Sequence, residues 1–196
     1  MAGGAGVTRE KPNKTLGPEG DLKNLSQKKE YIRDELEVAR SSFHALLDSL
    51  SEQGWYERSQ NPAWTNGQLL FHIMLGFILV CPLSRIMWVF GRFPRECSKA
   101  FAALLNLGTP LFRRVNATGP RIGSRIYDRD RIGLMYDRVY ARVVTRLNSL
   151  GDEELAQGMF YPTRWDPGFA EYMKLEDLFV YPTKHLKHHA WQIRAV

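Results

Sequence analysis

His72 lies inside a long uncharged apolar segment, and His185 and His189 stand four positions apart near the end of the chain. Neutral imidazole is the commonest side-chain metal ligand. Two imidazoles at i and i+4 on a helix project from one face, about one turn apart, and can grip a single ion. A third from a neighbouring helix gives three protein ligands and leaves coordination positions open, as catalytic sites do and structural sites do not. Three neutral ligands leave the charge of a divalent ion uncompensated, so it lowers the pKa of bound water toward ~7 or holds a thiol as its thiolate. Taken singly, each histidine has a plainer reading. A lone histidine on an apolar face is usually a hydrogen-bonded core residue, and i, i+4 pairs arise by chance on surface helices. The metal reading rests on the three together.

These residues need helices to position them. Ile32, Leu36, Ala39, Phe43, Leu46, Leu47 and Leu50 recur at helical spacing, predicting a first helix from a Ser26 cap, with Leu25 as its staple, to about Gln53-Gly54. His44 flanks that stripe and reads as an ordinary flanking histidine. Thr65 with Gln68 forms a capping-box signature, and a second helix follows through His72, kinked or ended by Pro82. Shorter amphipathic stretches cover Ile86–Phe90 and Ser98–Leu107, closed by Gly108 and Pro110. Leu111 to Tyr127, with Arg113, Arg114, Arg121 and Arg125 among Gly and Pro, reads as a long connection. A third helix begins near Asp128 or Asp130 and runs to Gly151. The fourth starts near Leu175 and reaches the C-terminus, bent by Pro182 just before its histidines. No strand-like alternation of any length is visible. The expected architecture is an all-α four-helix bundle over 25–196 with long connections, preceded by a disordered tail over 1–24.

Helical phase sorts the C-terminal histidines. The apolar stripe of the last helix is Leu175, Leu178, Phe179, Pro182, Leu186 and Ile193. At about 100° per residue, His189 falls roughly 40° from the stripe's centre, His185 roughly 80° and His188 roughly 140°. His188 therefore faces solvent. His72 is the only basic residue of its apolar run, which buries it and demands a partner for each ring nitrogen.

Bulk composition bounds the rest. The chain has 196 residues, 44% hydrophobic and 24% charged, with net charge +6, which suits one globular domain with a sizeable core. The mild positive excess favours anionic ligands without a recognition helix for nucleic acid. Cys81 and Cys97 form no CxxC pair or disulfide framework, and no signal peptide is visible, so a reducing cytoplasm is expected. Cys81 sits among apolar residues that raise its pKa, and no Ser-His-Asp or paired-carboxylate motif stands out. The apolar run Gln68–Ser84 falls short of the roughly 20 residues of a spanning helix and reads as a buried bundle helix.

Two blocks resemble the DinB-like superfamily of metal-dependent enzymes. The first is Trp64-Thr65, Leu69-Leu70 and His72-Ile73, similar to the family's Trp-Thr cap and first histidine. The second is FYPTRWD followed by FAEYMKLEDLFVYPTKHLKHHAWQI, similar to its final helix with a His-x-x-x-His pair followed by Gln. The resemblance spans about Ser26 to the end and matches His72, His185 and His189 to the three ligands. It implies a four-helix bundle holding a divalent metal, zinc or nickel, commonly as a homodimer acting on a small-molecule substrate. Characterised relatives include S-transferases and isomerases that use low-molecular-weight thiols. Lys174 departs from the family's Thr cap and should weaken the start of the last helix.

Around the three histidines, Tyr181 and Gln192 are candidates to orient an imidazole or hydrogen-bond a substrate; otherwise they are packing and solvated surface. Gly76, one turn after His72, leaves room beside an ion or serves close helix packing. Arg113, Arg114, Arg121 and Arg125 are candidates for binding the carboxylates of a thiol cofactor, or else are simply solvated. The expected function is a metal-dependent transferase or hydrolase. The alternative is a non-catalytic dimerising or membrane-surface bundle that makes its contacts through the second helix and the arginines.

Overall fold

The computed structural model describes residues 18–194, with side chains from Ser26 onward. Four principal helices form a bundle: α1 (Pro18–Asp48), α3 (Asn66–Phe90), α6 (Arg129–Asn148) and α8 (Leu175–Ala190). Each of α1 and α3 packs against both α6 and α8, so α1 lies diagonally opposite α3. Between them lie α2 (Glu52–Tyr56), α4 (Arg95–Leu107), α5 (Thr109–Ile126), α7 (Asp152–Ala156) and the strands β1 (Gly158–Phe160) and β2 (Tyr172–Lys174). The strands pair antiparallel and turn the chain from α7 into α8.

The expected helical stripes form the core. Leu36, Ala39 and Phe43 of α1 are fully buried with Leu69, Ile73 and Phe77 of α3, Tyr136 and Val143 of α6, and Leu178 and Phe179 of α8. His44, set aside on sequence, joins a surface cluster between α1 and α6. Its Nε2 lies 2.9 Å from Asp137 Oδ1, which also accepts from Arg40 Nε at 2.7 Å. Partial burial would raise the Asp137 pKa, but hydrogen bonds from Arg40 and His44 outweigh it and hold the carboxyl below its usual range.

Several boundaries differ from the sequence expectation. The first helix already runs from Pro18, so Ser26 is interior, and it ends at Asp48, with Ser51 capping the separate α2. The remainder of the expected tail, residues 1–17, lies outside the described residues. Pro82 does not end α3. Val80, Ser84 and Met87 on either side of it are all buried in the same core, and that packing outweighs the ~3 kcal/mol cost of an interior proline.

Leu111–Tyr127 does not form a loop: all of it but Tyr127 belongs to the helix α5. Pro110 occupies its first turn, where a missing N–H costs nothing. Gly123 lets α5 approach α3 so closely that a Cβ there would collide with the Phe71 ring. Finally, α8 stops at Ala190 rather than running to the C-terminus.

Among the described residues, α3 is the one helix long and apolar enough to cross a membrane. Residues Leu69 to Met74, Gly76 and Phe77 are nevertheless buried under the other bundle helices. The apolar run that suggested an external contact is mainly core.

Candidate metal centre

The site is assembled from the N-terminal half of α3 and the C-terminal half of α8. Thr65 caps α3 reciprocally: its hydroxyl accepts from the Gln68 N–H at 3.3 Å, while Gln68 Oε1 accepts from the Thr65 N–H at 3.2 Å. This fixes where α3 begins and hence the direction of His72, about two turns on. Helix α8 starts without a side-chain cap from Lys174. Asp177 compensates in part by accepting from the Lys174 N–H at 2.9 Å. Pro182 is accommodated inside α8, and Thr183 next to it donates to the Glu35 carbonyl of α1 at 2.8 Å.

His72, His185 and His189 converge in the bundle interior. Each is buried, and each offers a nitrogen within 4.8 Å of those of the other two. Burial, reinforced by the charges the neighbouring imidazoles would carry, pushes His72 down to about 3. Burial and His189 push His185 down to about 3 as well. His189 is lowered by burial, partly opposed by its hydrogen bond to Gln192. All three rings are therefore neutral near pH 7, the form that donates a lone pair.

Nδ1 of His72 and Nδ1 of His185 are buried without a hydrogen-bond partner. Such atoms are costly unless something satisfies the ring. Three convergent neutral imidazoles, two of them with an unpartnered buried nitrogen, fit a divalent cation.

The rings are held from outside. Trp64 stacks on His72 with centroids 4.5 Å apart, and Tyr181 stacks on His185 at 5.5 Å. Gly76 has no side chain because a Cβ would lie 2.8 Å from His185 Nδ1. Gln192 sits in the turn after α8, where its Oε1 accepts from His189 Nδ1 and from Asn61 Nδ2, both at 3.2 Å. That bond leaves Nε2 of His189 as the nitrogen with a free lone pair. The turn itself is tied down. Asn66 Nδ2 donates to the Arg194 carbonyl at 3.1 Å, and Gln60 N–H donates to the Gln192 carbonyl at 2.8 Å.

A pocket of about 270 Å³ opens beside His185, lined by Asp166, Tyr181, Lys184 and the exposed His188 among others. The Tyr181 hydroxyl donates to Asp166 Oδ2 at 2.8 Å. Burial, then the Asp166 carboxylate, raises the Tyr181 pKa well above the usual phenol range, so it stays a proton donor. Tyr181 and Gln192, named from sequence, thus both touch the imidazoles. Arg113, Arg114, Arg121 and Arg125 do not line this pocket; α5 carries them on its exposed side. Asp166, Asn61 and Lys184 were not foreseen. Asp166 stands in an Asp-Pro-Gly turn, which signals a chain reversal rather than chemistry.

Replacing Gln192 by alanine frees the His189 ring to rotate and lowers divalent-metal affinity by about 10- to 100-fold. Competitive chelator titration measures this, and unchanged affinity would remove Gln192 from a supporting role.

Comparison with known proteins bears on the family. No curated protein matches the chain. Among solved structures, YfiT from Bacillus subtilis superimposes with a TM-score of 0.56 at 15% identity, over 95% of this chain and 91% of that one. YfiT is described as a probable metal-dependent hydrolase with an unusual four-helix bundle topology. At that identity the likeness establishes the shared fold. The sequence profile of the DinB superfamily matches residues 35–193, a span that includes all three converging histidines, and the chain belongs to that superfamily.

Proposed function

We propose that this chain is a metal-dependent hydrolase in which His72, His185 and His189 hold one divalent ion, zinc or nickel, and a small substrate enters beside His185. The observation that carries the reading is the buried three-imidazole cluster with two unpartnered Nδ1 atoms. An all-imidazole donor set suits zinc and nickel better than magnesium or calcium, which prefer oxygen. When bound, the ion supplies a Lewis acid that polarises a substrate oxygen and acidifies water.

The chain's own groups do the rest. Tyr181, anchored by Asp166, offers a neutral hydroxyl at the pocket wall, and Lys184 places a cation at its rim. Trp64 covers His72 and keeps that side of the cluster dry.

Hydrolysis is favoured over thiol S-transfer because the arginines that would hold a thiol cofactor's carboxylates lie away from the pocket. The relation to YfiT supports the same choice. The test is a panel of small esters and amides assayed on zinc- and nickel-loaded protein, with and without added low-molecular-weight thiol. Turnover without thiol, abolished by chelator, is expected. Turnover that strictly requires thiol would instead make the protein an S-transferase. No turnover in either arm, by protein that takes up no stoichiometric metal on loading, would leave a non-catalytic bundle.

A further inference from the structure

The outer face of α5 carries an unusual surface. Leu111, Val115, Ile122 and Ile126 are each between 56% and 68% exposed. Counting about 100° per residue, they fall within roughly 60° of one another around the helix. By the same count, Arg114, Arg121 and Arg125 form a second row, within roughly 40°, directly beside the first. The buried Pro120 and Gly123 turn the other way, onto α3. The α5 sequence contains no Asp or Glu. Among the described residues, none of these three arginines pairs with a carboxylate. Just before the helix, Leu104 and Leu107 of α4 add 63% and 77% exposed aliphatic side chains.

An apolar row of this size is uncommon on a soluble monomer and marks a contact surface. The charge decides which contact. An antiparallel two-fold pairing of this face would set the arginine rows of the two copies side by side, with no carboxylate on either helix to offset them. An anionic lipid surface instead accepts both features at once: aliphatic side chains enter the headgroup boundary while arginines meet lipid phosphates.

We infer that α5 docks this protein onto anionic membrane surfaces, lying in the interface plane with Leu111, Val115, Ile122 and Ile126 inserted and Arg114, Arg121 and Arg125 on lipid phosphates. Docking leaves the bundle intact, because the inserted side chains are outside the core. It is independent of the metal centre, although α5 adjoins it: Trp64 Nε1 donates to the Ala117 carbonyl at 3.4 Å, and Phe112 stacks on Trp165 at 4.2 Å.

The test is co-sedimentation of the full metal-loaded chain with vesicles of phosphatidylcholine alone or mixed with phosphatidylglycerol, near physiological salt. Binding to the mixed vesicles and not to pure phosphatidylcholine is expected. The double variant Val115→Ser/Ile122→Ser should lose at least about tenfold in binding, because two aliphatic groups leave the interface. Each of Arg114→Gln and Arg121→Gln should lose about fivefold. Circular dichroism and metal content should stay unchanged in all three, because these positions are exposed and Arg121 gives up only a 3.4 Å surface hydrogen bond to the Ala63 carbonyl. Failure to bind the mixed vesicles, or equal binding by the double variant, overturns the inference. So does a vesicle-free dimer that dissociates in Val115→Ser/Ile122→Ser, which would assign the face to a second copy.

Discussion

Changing His185 to alanine lowers divalent-metal affinity by more than about 100-fold, beyond the loss typical of removing a supporting residue. His72→Ala and His189→Ala do the same, whereas His188→Ala retains full metal content. The contrast follows from position. The first three rings are buried and share a centre within 4.8 Å, while His188 is exposed at the pocket rim. Elemental analysis after dialysis, paired with chelator competition, gives the result directly. Any one of the three variants that keeps a stoichiometric ion would remove that residue from the ligand set.

Thermal unfolding supplies an independent reading, since an ion that binds only the folded state raises stability by mass action. The wild type should gain stability on metal addition, and the three alanine variants should not. Should the variants fail to fold, the metal-dependent midpoint of Gln192→Ala still reports on the same centre.

Phe43→Ala should cost about 3–5 kcal/mol of stability, as large-to-small changes at packed aromatic positions do. That is a large share of the ~5–15 kcal/mol that keeps a typical domain folded. Phe43 is fully buried and stacks on Tyr136 with centroids 4.0 Å apart; Tyr136 in turn contacts Phe77 at 4.8 Å. Tyr136 thus bridges Phe43 of α1 and Phe77 of α3, and removing the Phe43 ring strips that bridge of its α1 partner. Leu134→Ala on the exposed side of α6 is the control, with an expected change within about 0.5 kcal/mol. Guanidinium denaturation measures both. A Phe43→Ala loss below about 1 kcal/mol would mean that the three helices do not meet there as described.

The departures from the sequence expectation share a cause. Pro and Gly in residues 108–126 signal a break when neighbours are ignored. In the folded chain Pro110 falls in a first turn and Gly123 is the contact that admits Phe71, so the same residues support a helix. Pro82 reads as a stop for the same reason and is overruled by buried side chains on both sides of it. Propensity is a weak local preference, and packing of an amphipathic face outweighs it.

Within one helix the direction of a side chain depends only on its position, so the sequence alone determined the four-helix architecture, the separation of His185 and His189 from His188, and the burial of His72. Proximity between helices depends on how distant segments pack, and no local pattern encodes it. Only the tertiary structure decided that α3 and α8 adjoin closely enough for three imidazoles to share a centre. It also brought Asn61 to Gln192 and Asp166 to Tyr181. The arginines, read as candidate carboxylate binders or else as solvated side chains, lie exposed on a helix beside the site.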